Sequence, residues 1–265
     1  MSENKEMHLA EKLHEEVFLY ENVIEDPRKL IKMIEDLDSV EEVYSVIPKW
    51  GKWLSNSNDG HTFGGKKDFN PDLVDQLPEE YKADVQYIID QIRSGVKKVA
   101  EAYFRDREFD YEPNLSPFVG IMKYRPGCAM GAHFDAQAGD RTLKYSIVLY
   151  LNEDYEGGEI SFIIRDYDLR DPKNDLLKPE EDIEDAKDSG LIDFWRKPKA
   201  GSALIFPSTH PYKHQVHIMK SGDKYMFPGF VFHPDYDQHD EESRKFFNAG
   251  SQYEPIVNPY LTPEA

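Results

Sequence analysis

From Pro117 to Phe232 the chain breaks into short apolar runs divided by Gly, Pro, Asn and Asp. The runs are Phe118 to Tyr124, Tyr145 to Leu151, Glu159 to Ile164, Ser202 to Phe206 and Tyr225 to Phe232. Successive strand side chains point to opposite faces, so runs of this length bury a face only by pairing and stacking. Short strands with turn residues between them predict an antiparallel sandwich or barrel. Abundant Tyr, Phe and Trp suit such a sheet-rich core.

The N-terminal half reads differently. Residues 1–15 are a polar lead, loose or helical, and Glu16 to Ile24 is a strand candidate. Asp26-Pro27 opens a helix, with Asp as N-cap and Pro at the first helical position, and Leu30, Ile31, Ile34 and Leu37 give it one apolar face. Trp50 to Asn70 reads as loop, although it carries Trp50, Trp53 and Phe63, which fit either a peptide-contacting lid or local packing. Pro78 to about Phe104 is a long helix, with a core-facing stripe from Tyr81 to Val99. The charged insertion Arg165 to Lys199 is a solvated helix or a lid. The expected organisation is one domain over 16–265: support over 16–116, a β core over 117–232, and a tail over 233–265.

Net charge is −19, from 32 Lys+Arg against 51 Asp+Glu. So acidic a surface repels phosphate backbones, and nucleic-acid binding is not expected. Solubility explains the charge, and attraction of a basic peptide is the sharper alternative. The single cysteine, Cys128, permits no intrachain disulfide and reads as a small packed thiol. The first nine residues lack the apolar core of a signal peptide, and no run approaches the ~20 apolar residues of a membrane helix. A cytoplasmic protein without membrane contact is expected; oligomeric state has no signature.

His-x-Asp occurs twice, at His133-Phe134-Asp135 and His233-Pro234-Asp235. Pro234 suits a regular strand poorly, and only His239 follows it, so His233 and Asp235 read as turn residues. On a strand, His133 and Asp135 share a side and can bind one ion. His210, His214 and His217 compete as third ligand. His214 fits best, because Tyr212, His214 and Val216 alternate and Gly222-Asp223-Lys224 follows. Two imidazoles and a carboxylate leave open positions on Fe(II). A zinc hydrolase uses the same donors but leaves Lys224 unexplained.

Tyr124-Arg-Pro-Gly-Cys-Ala-Met-Gly-Ala-His133-Phe-Asp135 resembles the metal strand of 2-oxoglutarate, Fe(II)-dependent dioxygenases, in particular their prolyl 4-hydroxylase-like branch. Ser146 to Asn152, Glu156 to Phe162, Pro198 to Pro207, and His214 with Gly222 and Lys224 resemble that family's further motifs in family order. The resemblance implies an α+β, mainly β fold, a double-stranded β-helix (jelly roll) with N-terminal supporting helices. It implies Fe(II) on His133, Asp135 and His214. It also implies 2-oxoglutarate chelating the metal, O2 at the remaining position, and ascorbate as a further cofactor. Lys224 would pair with the far carboxylate of 2-oxoglutarate, Tyr124 and Tyr150 would add hydroxyl donors, and Ser146 would line the same pocket. The implied products are succinate, CO2 and a hydroxylated C–H bond, and the carboxylate of Asp135 favours hydroxylation over halogenation. Two positions depart from the branch: Met130 replaces a frequent tyrosine, and Ser146 a threonine. Arg141 meets substrate, meets the insertion or lies on the surface. Three functions compete: hydroxylation of a peptidyl proline, the same chemistry on a free amino acid or small metabolite, and a non-catalytic binding or assembly role.

Overall fold

The structure, a computed structural model, describes residues 6–54, 63–136, 141–164, 183–188, 190 and 192–248. The strands are β1 His8–His14, β2 Val17–Glu21, β3 Gly51–Leu54, β4 Phe63–Asp68, β5 Asn114–Leu115, β6 Gly120–Tyr124, β7 Met130–His133 and β8 Leu143–Tyr150. They continue as β9 Glu156–Gly157, β10 Ile160–Ile163, β11 Phe194–Arg196, β12 Ala203–Pro207, β13 Lys213–Val216, β14 Met219–Ser221 and β15 Lys224–Phe232. Among the described residues the α-helices are α1 Pro27–Asp36, α2 Glu79–Asp106, α3 Ile183–Asp188 and α4 Glu241–Asn248.

A large sheet runs β1-β2-β12-β8-β15-β6-β4-β3, with β5 pairing on β15. A smaller sheet runs β11-β10-β13-β7, and β14 pairs with β9. The paired strands are antiparallel, as a jelly roll requires. Alternation divides the core in two. Ile147 and Leu149 of β8 join a cluster with Ile88, Ile92, Val96 and Val99 of α2. Val148 and Tyr150 join the other, with Phe162, Phe206 and Val216. At Gly229 of β15 an added Cβ would lie 2.8 Å from a methyl of Val96, so α2 packs closely on the sheet only because that position is glycine.

Both helices predicted in the N-terminal half are present. The Asp26 carboxylate accepts from the Lys29 N–H at 3.0 Å, satisfying a free donor at the start of α1. Three expectations need correction. Residues 8–14 are not a loose or helical lead but strand β1, whose mostly exposed polar side chains hide any alternation; Glu11 pairs with Arg196. Trp50 to Asn70 is not all loop: β3 and β4 form an antiparallel pair on the edge of β6. The glycines that read as loop lie under the aromatics, since a Cβ on Gly64 would lie 2.5 Å from the Trp53 ring and one on Gly65 2.8 Å from Trp50. The insertion is not wholly outside the core, because β11 returns to pair with β10. Residues 55–62 and 165–182, where the lid readings mostly fall, lie outside the described residues, as does the tail from 249. No described helix is long and apolar enough to cross a membrane.

Candidate metal and co-substrate site

Strand pairing brings the three sequence-distant residues together. His133 ends β7, and the antiparallel register sets it opposite His214 of β13, their ring centroids 4.4 Å apart. Asp135 sits in a bend just past the strand rather than within it. It faces both imidazoles: His133 Nε2 lies 3.5 Å from Oδ1, and His214 Nε2 lies 3.7 Å from Oδ2. One ligand atom from each residue falls within 4.8 Å of the others, a set able to hold a metal ion.

The rings are oriented for that task. His133 Nδ1 lies 2.7 Å from the Gly131 carbonyl, and His214 Nδ1 3.4 Å from that of Tyr212. A carbonyl only accepts, so each Nδ1 carries a proton, and each Nε2 points toward Asp135. Phe162 and Phe206 flank the His214 ring, with centroids 5.8 and 4.7 Å away. Ser146 lies near enough to Asp135 to help lower its carboxyl, and its Oγ lies 2.8 Å from that of Ser208.

The competing histidines lie elsewhere. His210 is exposed, beside Phe134. His217 is buried, and its Nε2 lies 2.8 Å from Ser161 Oγ. Asp235 takes part in a turn, its N–H donating to His233 Nδ1.

Facing the triad, the large sheet contributes Lys224, Tyr124 and Tyr150 from the adjacent strands β15, β6 and β8; all three are buried. Lys224 Nζ lies 5.4 and 5.3 Å from the ring centroids of Tyr124 and Tyr150, and 5.8 Å from Tyr155. It donates to the Gly158 carbonyl at 2.7 Å. Met130 packs against this cluster where the branch often has tyrosine.

Residues 119–232 match the model of the 2OG-Fe(II) oxygenase superfamily. That stretch, a little under half of the chain, carries the oxygenase domain. The oxygenase domain covers β6 to β15, and its class is that of an enzyme dependent on 2-oxoglutarate and iron. No curated protein matches the chain by sequence. In fold it is similar to a prolyl-4-hydroxylase from Pseudomonas putida, with 15% identity, 82% of this chain and 91% of that one covered, and a TM-score of 0.50. It is also similar to a prolyl hydroxylase from Trichoplax adhaerens in complex with a hypoxia inducible factor oxygen degradation domain peptide fragment. There the identity is 13%, the coverage 87% and 86%, and the TM-score 0.50. At these identities the likeness is one of fold.

The electrostatics of the oxygenase site suit a cation at one end and an anion at the other. Burial alone would raise the Asp135 carboxyl, but His214, His133 and Ser146 outweigh it and hold it down at about 2. Burial pushes His214 down to about 4, against the pull of Asp135. His133 is raised, because its contacts with Asp135 overcome burial. With a metal ion bound, both Nε2 atoms would give lone pairs beside the carboxylate, the donor set that suits Fe(II). At the other end, burial lowers Lys224 to about 7, against the opposing charge of Glu159. Tyr124 and Tyr150 are raised by burial and stay protonated donors.

Unused hydrogen-bonding capacity sits beside Lys224. An ammonium has three donors, and the carbonyl of Gly158 takes one. The Tyr155 hydroxyl and Glu159 Oε2 are buried without a partner. A carboxylate entering between Lys224 and Tyr155 would satisfy the spare N–H and O–H groups. Of these residues, sequence reasoning missed Tyr155, the Gly158 carbonyl and Ser208. The first two adjoin the Gly157-Gly158-Glu159 motif, the one signal pointing to them. Arg141 is exposed and, with Lys144, Thr209, His233, Glu242 and Phe246, lines a cavity of about 820 Å³. None of His133, Asp135 and His214 lines this cavity.

Proposed function

We propose that this oxygenase hydroxylates a C–H bond, that of a prolyl residue in a peptide or protein, while 2-oxoglutarate and O2 are converted to succinate and CO2. One observation carries the reading: His133, Asp135 and His214 converge on one point of the small sheet, while Lys224 projects from the facing sheet. A two-ended anion, with a chelating keto acid at one end and a free carboxylate at the other, fits between them.

In this reading His133, Asp135 and His214 hold Fe(II), which when bound supplies the activation of O2 for C–H oxidation. Ser146 adds to the histidines in keeping the Asp135 carboxylate ionised, a role beside the metal and not only along the co-substrate. Lys224 pairs with the far carboxylate, and Tyr124, Tyr150 and Tyr155 surround that pair and exclude water. The cavity lined by Arg141, Lys144 and Phe246 is the proposed approach for substrate. The prolyl preference rests on likeness to folds whose named members are prolyl hydroxylases. A free amino acid or small metabolite is the alternative substrate. A cytoplasmic location and use of ascorbate belong to the same proposal.

Succinate formation with Fe(II), 2-oxoglutarate and a panel of proline-containing peptides and free amino acids tests the reading. Peptide-stimulated succinate with a 16-Da mass gain on the peptide is expected. Stimulation by free amino acids alone would move the substrate class. No stimulation across the panel, with no binding of Fe(II) or 2-oxoglutarate, would leave a non-catalytic jelly roll. Adding ascorbate to the active mixture is expected to raise turnover.

A further inference from the structure

Asn152 lies two residues past the end of β8, is buried, and takes no part in the chemistry described above. Its side chain spends its hydrogen bonds on the chain either side of Lys224. Oδ1 accepts from the Tyr225 N–H at 2.8 Å. Nδ2 donates to the Asp223 carbonyl at 2.7 Å and to Asp154 Oδ1 at 2.8 Å.

The strand ladder explains the arrangement. β15 begins at Lys224, which pairs with Tyr124 of β6 on one side. On the other side, pairing with β8 starts only at Met226 opposite Tyr150, where β8 ends. One backbone bond continues past that pair, from the Leu151 N–H to the Tyr225 carbonyl at 3.0 Å, but the Tyr225 N–H and the Asp223 carbonyl bond to no backbone of β8. A side-chain amide has the same C=O and N–H as a peptide, and that of Asn152 supplies the missing rung. Gly222 lets the incoming turn reach it. Its φ is +73°, and a Cβ there would lie 2.9 Å from the Asp154 carbonyl oxygen and 3.1 Å from Tyr155 Cα. Six residues beyond Asn152, the Gly158 carbonyl receives the tip of the same lysine. The segment 152–158 thus holds both root and tip of Lys224.

We propose that Asn152 is a positioning residue for co-substrate binding: its amide fixes the backbone of Lys224 so that the ammonium is already in place for the far carboxylate of the keto acid. The inference rests on the reading of Lys224 given above. A lysine has four side-chain torsions, and its tip can be located only as well as its root.

The test is anaerobic binding, with Fe(II) present, of 2-oxoglutarate and of 2-oxobutyrate, which lacks the far carboxylate. The proteins are the natural chain, Asn152→Ala, Lys224→Ala and the double variant. Asn152→Ala is expected to weaken 2-oxoglutarate about tenfold, the scale of one or two lost hydrogen bonds. It should leave Fe(II) and 2-oxobutyrate binding unchanged, and add nothing in the Lys224→Ala background. Equal loss for both keto acids, or additive losses in the double variant, would overturn the proposal by making Asn152 merely structural. A Lys224→Ala protein that binds 2-oxoglutarate normally would overturn the Lys224 reading itself, and the proposal with it. Should Asn152→Ala fail to fold, Asn152→Asp keeps the acceptor for the Tyr225 N–H but sets a carboxylate oxygen against the Asp223 carbonyl. The same selective loss is expected of it, and an unchanged 2-oxoglutarate affinity would contradict the proposal.

Discussion

Ile147 and Leu149 point from β8 toward helix α2, while Ser146, Val148 and Tyr150 point into the sandwich. The same division runs along β15, where Phe227 faces the helices, and Lys224 and Met226 face the site. The helix-backed face is built largely from aliphatic side chains that need only one another. The site face buries a lysine, a histidine and a serine, and leaves the Tyr155 hydroxyl without a partner. Buried polar groups that lack partners cost stability. A strand that gives one face to packing can carry that cost on the other, which is how this fold keeps an ill-satisfied pocket at its centre.

If the two faces divide labour in this way, substitutions on them should fail differently. The largest effect on turnover is expected at the triad. Asp135→Ala should lower substrate-stimulated succinate formation by more than about 100-fold, beyond the range for residues that only support a metal ligand. Its circular dichroism spectrum should stay that of the natural protein. On the opposite face, Leu149→Ala should cost roughly 2–5 kcal/mol in denaturant unfolding. Its kcat, measured where the variant is still folded, should be unchanged. A catalytic defect in Leu149→Ala without loss of stability would break the comparison.

Lys224 sharpens it, because there the proposed function and stability pull in opposite directions. Lys224→Met should raise the 2-oxoglutarate half-saturation concentration by about 100-fold, the scale of losing one buried charge partner. It should also raise the unfolding temperature of the protein without co-substrate, because an apolar side chain replaces a buried ammonium. The smallest effect is in pH. Burial lowers Lys224 to about 7, so above that pH the empty pocket holds a neutral amine and binding the carboxylate requires proton uptake. Affinity for 2-oxoglutarate should be flat below about pH 7 and fall up to tenfold per unit above it. That slope should vanish in Lys224→Met.

Legibility in the sequence followed the same division. Period-two runs exposed the strands of both sheets, and the stripe from Val85 to Val99 exposed α2, because burying one face of a regular element leaves a period. The triad was readable because metal ligands are few in kind, and the step from His214 to Lys224 singled out one histidine among three. Strand β1 left no period because most of its side chains meet solvent. β3 and β4 were hidden by Gly64 and Gly65, which are there to seat Trp53 and Trp50 rather than to turn the chain. β11 lay inside a charged stretch. Ser146 was read from its motif as lining the co-substrate pocket, whereas its nearness to Asp135 depends on how β8 faces β7 across the sandwich. The hydrogen bonds of Asn152 join residues about 70 apart through backbone groups, which leave no trace in residue type.

The central claim is that one pocket binds iron at the small sheet and a keto acid reaching to the large one. Anaerobic titration of the protein with Fe(II) and then 2-oxoglutarate tests it most directly, through the visible charge-transfer band of a keto acid chelated to Fe(II). The band is expected only when both are present, saturating at one equivalent of each. It should be lost in His214→Ala and shifted to higher 2-oxoglutarate concentrations in Lys224→Met. A natural protein that forms no band, or a His214→Ala protein that forms it unchanged, would contradict the account.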